Sequence, residues 1–203
     1  MAPMKIIATG IHKKFRQEWV FKALNYTFES GKSYAIIGQN GAGKSTLLKT
    51  LAQYSLPNKG KVEFEGITED VNKQISFAAP YSELIEEFTL PELLNFLIQI
   101  DFLTARWDFE AFSSFIDLRP SETKYIKNFS SGMRQKVKLG IALASDRPIL
   151  CLDEPTSNLD ETAKNWFYRA LESQRHKLIL IASNEQAEIN LCTDQLAIAD
   201  YKV

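Results

Sequence analysis

The pattern of apolar and polar positions divides the chain into short strands and longer helical stretches. Lys5-Ile6-Ile7-Ala8 and Val20 to Phe28 carry strand-forming residues, and Gly31 breaks the chain before the apolar run Ser33-Tyr34-Ala35-Ile36-Ile37. After a turn signal at Pro57-Asn58-Lys59-Gly60, Lys61 to Gly66 alternates polar and apolar, the period of a half-buried strand. Gln74 to Ala79 predicts another strand, stopped by Pro80. Ile149 to Leu152 and Leu178 to Ala182 are unbroken apolar runs, which suit parallel strands covered on both faces. Gln195 to Ala199 predicts the last strand.

Helical spacing fills the intervals. Thr89 and Glu92 form a capping-box pattern with Pro91 in the first turn, ahead of Leu93, Leu94, Leu97 and Ile100/Ile98. Trp107 to Ile116 predicts a helix with Phe109, Phe112 and Phe115/Ile116 on one face, aromatics that belong to a core. Residues 132–145 carry the stripe Met133, Val137, Ile141 and Ala144, and Ala163 to Leu171 is again helical. Strands alternating with helices from residue 33 onward predict an α/β fold with a mainly parallel sheet, preceded by an N-terminal antiparallel β subdomain. The whole, 1–203, reads as a single domain with a small helical lobe, roughly 89–128, inserted in it.

Composition narrows the function. A chain of 203 residues, 45% hydrophobic and 24% charged, can build a substantial core. A net charge of −1 with no long basic block gives a nucleic-acid partner no electrostatic support. Cys151 and Cys192 are far apart and lack metal-ligand spacing, which predicts two reduced thiols in a cytoplasmic protein. The stretch Leu93 to Leu103 is too short and too polar to span a bilayer, and no signal-peptide core precedes the first strand. Attachment to the inner face of the cell membrane is expected only through a partner.

The sharpest motif follows the run 33–37: Gly38-Gln39-Asn40-Gly41-Ala42-Gly43-Lys44-Ser45-Thr46. Strand, glycine-rich loop and helix in that order, with Gly38, Gly43, Lys44 and Ser45 in the G-x-x-x-x-G-K-[ST] pattern, identify a phosphate loop and so a P-loop NTPase core. Glycines let successive backbone N–H groups converge on phosphate oxygens, and the helix behind presents its positive dipole end to the same anion. Lys44 is expected on the β- and γ-phosphates of ATP and the Ser45 hydroxyl on Mg2+. Asp153-Glu154 directly follows a buried strand, which places both at the carboxyl edge of the sheet. Asp153 can hold the Mg2+ opposite Ser45, and Glu154 can take a proton from an attacking water.

With these two sites in hand, nearly the whole chain resembles the ATP-binding subunit of an ATP-binding cassette (ABC) transporter. The linking element is Asn128-Phe129-Ser130-Ser131-Gly132-Met133-Arg134-Gln135, similar to the family signature Leu-Ser-Gly-Gly-Gln and about twenty residues before Asp153. Ser130 can cap this helix, and Gly132 leaves room for an anion. The resemblance implies a head-to-tail pair of cassettes sharing two ATP molecules, in which Ser130, Ser131 and Gly132 serve the partner cassette's nucleotide. Pro155 to Asp160 resembles the family's D-loop, and Phe15 falls at the position whose ring stacks on adenine. A Phe buried beneath a hairpin is the competing reading of Phe15.

Two positions depart from the family pattern. Pro80 stands where the resemblance expects the Q-loop glutamine, and Asn184 where it expects the switch histidine. Asparagine still donates an N–H to a γ-phosphate, but it carries no charge and shuttles no proton. The expectation is therefore an ATPase driving a separate transmembrane transporter subunit, with Glu154, Lys44 and Asn184 in catalytic roles and turnover slowed by the two replacements. The alternatives are a cassette acting mainly by ATP binding and dimerisation, a non-transport ABC ATPase, and a kinase or GTPase on the same loop.

Overall fold

Cross-strand pairing carries the N-terminal strands well past their apolar segments in the computed structural model, which describes residues 4–67 and 70–202. β1 (Lys5–Phe15) and β2 (Glu18–Glu29) form an antiparallel hairpin that runs out to the pair Phe15–Glu18. Its tight turn places Arg16 in the left-handed region (φ 53°), the conformation that short hairpin turns impose. β4 (Lys59–Glu65) pairs antiparallel with the other side of β1, giving the order β2-β1-β4. The expected turn at 57–60 therefore gives way to strand at Lys59, where pairing with His12 has already begun.

The second sheet has the order β5 (Ile75–Ala78), β6 (Ile149–Asp153), β7 (Leu178–Ala182), β3 (Ser33–Ile37), β8 (Asp194–Ala197). β7 pairs in parallel with β6 and β3, and β3 in parallel with β8. Every residue of β6 and β7 is buried, as unbroken apolar runs require. The last strand ends at Ala197 rather than Ala199, because its neighbour β3 ends at Ile37, the residue opposite Ala197. The chain then tightens into a 3-10 turn over Ile198–Tyr201.

The helix α1 (Lys44–Leu51) buries Leu47, Leu48 and Leu51 in one core with Ile6 and Phe28 of the first sheet and Tyr34, Ile36, Cys151 and Leu180 of the second. A short helix absent from the sequence expectation, α6 (Gln186–Ile189), follows β7. These elements make one compact unit: the described chain up to Phe77, Arg147–Glu154, and the chain from Arg175 onward.

Residues Ala78–Asp146 and Pro155–Gln174 make a second compact unit. It contains α2 (Leu90–Gln99), α3 (Phe109–Phe115), α4 (Ser131–Ala144) and α5 (Glu161–Glu172), so the stretch 89–128 is only part of it. The physical reason is packing: a Cβ on Gly140 of α4 would stand 2.3 Å from Ile116 Cγ2, and Ile116 and Phe112 are fully buried. Trp166 of α5 donates its indole N–H to the Phe115 carbonyl at 2.6 Å. α2 starts on a complete capping box, in which Glu92 accepts the Thr89 N–H at 2.7 Å. That bond holds the Glu92 carboxyl below its usual range. α3 begins at Phe109, two residues later than its pattern suggests, because Asp108 caps it through the Ala111 N–H at 2.8 Å. Trp107 instead donates its indole N–H to the Ala144 carbonyl at 2.9 Å.

Candidate functional site

The phosphate loop turns sharply off β3. Ala42 N–H donates to the Gln39 carbonyl at 3.0 Å, and α1 begins at Lys44 with Gly43 as its cap residue. Gly43 is needed for two reasons. Its φ of 107° lies where side chains are strained, and an added Cβ would meet Val20 Cγ1 at 2.1 Å. No side chain caps α1, and no acidic residue stands in its first turn. Its leading N–H groups and positive dipole end are thus left for an outside anion. Lys44 is buried, and its ammonium donates to the loop carbonyls of Gly38 at 2.9 Å and Gln39 at 3.4 Å. The lysine therefore pre-shapes the loop it serves.

One helical position further, Ser45 Oγ donates to Asp153 Oδ1 at 3.0 Å. Asp153 is 1% exposed at the end of β6. The hydroxyl and the carboxylate are hard oxygen donors, the type Mg2+ selects, and Mg2+ takes few protein ligands beside waters and phosphate oxygens. Among the described residues no group of three or more His, Cys, Asp and Glu could hold a metal by itself.

Glu154 leaves the strand in the left-handed region, φ 43°, a strained setting for a carboxylate side chain. Its N–H continues the ladder by donating to the Ala182 carbonyl at 2.8 Å, while its side chain is exposed. Asn184, just past β7, donates its side-chain N–H to the side-chain carbonyl of Asn40 in the phosphate loop. Phe15 is 56% exposed at the end of β1, so it is not a ring buried beneath the hairpin. An open cleft of about 480 Å³ brings Phe15, Gly41, Ala42, Gly43, Lys44, Ser45, Thr46 and Glu154 together. Glu18, Trp19, Val20 and Lys202 line it too, and no sequence motif marks them. Gly38, Gln39 and Asn40 form the earlier part of the loop. Cys151 and Cys192 take no part: burial pushes the Cys151 thiol up, and burial followed by the Glu188 charge pushes Cys192 up to about 12.

The remaining predicted contacts, Ser130, Ser131 and Gly132, belong to the second unit. Ser130 caps α4, its hydroxyl accepting the Met133 N–H at 3.2 Å, and Ser131 is exposed. Gly132 lies close against the Asn158 carbonyl, 3.2 Å from where a Cβ would stand. Gln135, which closes the signature-like stretch without a role assigned to it from sequence, is 2% exposed and donates to the Pro155 carbonyl at 2.8 Å, tying α4 to the D-loop-like segment. Pro80 has no N–H and no polar side chain, and its carbonyl accepts from the Lys138 ammonium at 2.6 Å. Lys138 also reaches the Ala79 carbonyl at 3.4 Å, and burial followed by the Arg134 charge pushes its pKa down.

Residues 21–157 match the family model described as ABC transporter. The chain is 31% identical over 192 residues to the uncharacterized ABC transporter ATP-binding protein YybJ of Bacillus subtilis (strain 168), covering 90% of this chain and 87% of that one. It is 28% identical over 211 residues to the Nod factor export ATP-binding protein I of Rhizobium sp. (strain N33), covering 99% of this chain and 69% of the relative. In fold it is similar to an ATP-binding subunit of an ABC transporter (TM-score 0.84, 23% identity, 95% of this chain and 85% of that one). It is also similar to the ATP-binding cassette MJ0796 in a dimeric post-hydrolysis state with ADP and Pi (TM-score 0.83, 21% identity, 98% and 96%). No helix among the described residues is long and apolar enough to cross a membrane.

Proposed function

The chain belongs to the ABC transporter family as one of its ATP-binding subunits, and from that premise we propose that its cleft binds MgATP through Lys44, Ser45 and Asp153 and hydrolyses it with Glu154 as general base. The observation that carries this reading is the pairing of the uncapped α1 start with Ser45 Oγ and Asp153 Oδ1 at 3.0 Å. An anion-binding helix end and a magnesium-type oxygen pair stand on consecutive residues.

In this reading the Lys44 ammonium exchanges the Gly38 and Gln39 carbonyls for β- and γ-phosphate oxygens, and the loop N–H groups hold the same chain. Bound Mg2+ supplies charge neutralisation at the phosphates, with Ser45 and Asp153 as its protein-side donors. Phe15 offers its exposed ring to the adenine. Glu154 draws the proton from water, and Asn184 donates its amide N–H to the γ-phosphate in place of Asn40. Most phosphoryl-transfer catalysis is positioning and electrostatics, so these groups suffice for turnover.

A second cassette then completes each site, with Ser130, Ser131 and Gly132 facing the partner's nucleotide, and a separate membrane subunit receives the opening and closing motion. That subunit holds the protein on the cytoplasmic face of the membrane. Two observations favour a slower variant of the same reading. Pro80 has its only polar group occupied by Lys138, and Asn184 cannot carry a proton.

The test is phosphate release by the wild type and Glu154→Gln with the membrane subunit present. The wild type releases phosphate, and Glu154→Gln is at least about 100-fold slower while keeping its MgATP affinity. A wild type that releases none sinks the hydrolysis reading and leaves a cassette working by ATP binding alone.

A further inference from the structure

The C-terminal turn packs directly against the phosphate loop. Ile198 is fully buried, and its Cγ2 stands 2.7 Å from where a Cβ on Gly38 would lie, its Cδ1 3.3 Å from one on Gly43. Val20 of β2 also meets that Gly43 position, and the Tyr201 hydroxyl donates to the Asn25 carbonyl of β2 at 3.5 Å. The turn thus fills the corner between β2 and the loop, and the Lys202 N–H closes it on the Ala199 carbonyl at 3.2 Å. Lys202 leaves this anchored turn as an exposed residue that lines the nucleotide cleft together with Gly41–Thr46 and the acidic Glu18 and Glu154. Its ammonium makes no ion pair or hydrogen bond among the described residues.

We propose that Lys202 is a second cation for the phosphate chain of the nucleotide, delivered to the phosphate loop by the C-terminal turn rather than by the loop itself. The inference rests on the nucleotide reading above and extends it to a residue outside every motif. Lys44 is inward and engaged with loop carbonyls, whereas Lys202 approaches from solvent with its charge uncommitted. A solvent-side lysine contributes a screened attraction that grows with ligand charge. It therefore favours a triphosphate over a diphosphate and leaves the uncharged nucleoside untouched. The stacking ring of Phe15, on the hairpin, answers for the base.

The experiment is calorimetric titration of wild type, Lys202→Ala, Lys202→Arg and Lys44→Ala with MgATP, MgADP and adenosine, at low and high salt. Lys202→Ala loses about three- to tenfold in MgATP affinity at low salt, less for MgADP and none for adenosine, and the gap narrows at high salt. Lys202→Arg binds MgATP like the wild type. Equal MgATP affinity in wild type and Lys202→Ala overturns the inference alone, and so does an equal loss for adenosine, which marks a base contact or a structural role. A wild type that does not bind MgATP, or a Lys44→Ala that binds it undiminished, overturns the nucleotide reading beneath it.

Discussion

Two helix starts in this chain look alike in sequence and differ in structure. α1 opens after Gly43 and α4 after Ser130, a small residue in each case, and each is expected to meet a phosphate. At α1 no side chain caps the first turn, and the nearest charge, Lys44, is folded onto its own loop. At α4 the Ser130 hydroxyl already accepts the Met133 N–H, and Gly132 is pressed against the Asn158 carbonyl. The helices α2, α3 and α5 follow the α4 pattern, with Thr89, Asp108 and Asp160 as side-chain caps. The uncapped start carries its unmet N–H donors as a standing cost that an anion relieves, whereas the capped start is stable alone and gives an incoming phosphate less to gain. In the proposed reading α1 serves a site within one chain, and α4 takes the lesser share of a site made by two.

The largest test of that contrast is at α1. Lys44→Ala is expected to weaken MgATP binding by about 10- to 100-fold, the range for losing a charge-assisted bond to phosphate, as read by calorimetry on the single chain. At α4 the corresponding change, Ser130→Ala, is expected to cost about 1 kcal/mol of stability through the lost cap, read as a lower thermal midpoint. It should leave MgATP affinity of the single chain unchanged. A Ser130→Ala chain that loses affinity without a partner would erase the distinction between the two helix starts. The smallest effect is at the α1 loop's neighbour. Asn184 has no proton to exchange near neutral pH, so wild-type phosphate release should be flat from about pH 6 to 8 as far as this position is concerned. Asn184→His introduces a group titrating at about 6.5, and its rate should acquire a few-fold slope across that window, rising on the acid side as the imidazolium stabilises the γ-phosphate. A variant as flat as the wild type would show that the side chain at 184 does not reach the phosphate.

Much of this architecture was legible in the residue pattern because the signals were local. The strands 33–37 and 178–182 were bounded by their own apolar runs, and the Thr89–Glu92 box announced its helix. Boundaries went astray where a distant partner decided them. β1 continues through the charged Lys13 and Lys14 because β2 is there to pair with, and β8 stops at Ala197 because β3 has already ended. The stretch 89–128 reads in the sequence as a small inserted lobe by itself because nothing local shows that Gly140 receives Ile116 or that Trp166 reaches the Phe115 carbonyl.

The candidate site divides in the same way. By itself the sequence determined the phosphate loop, the acidic pair at 153–154 and the replacements at 80 and 184, since each is a matter of residue type at short spacing. Only the tertiary structure decided that Ser45 meets Asp153, that Asn184 rests on Asn40, that Lys138 occupies the Pro80 carbonyl and that Lys202 lines the cleft. The three hydrogen-bonded pairings join residues from 58 to 144 positions apart. Hydrogen bonds and charges act over a few ångströms, and only the folding of two sheets around α1 and the packing of helices in the second unit bring such groups within that reach.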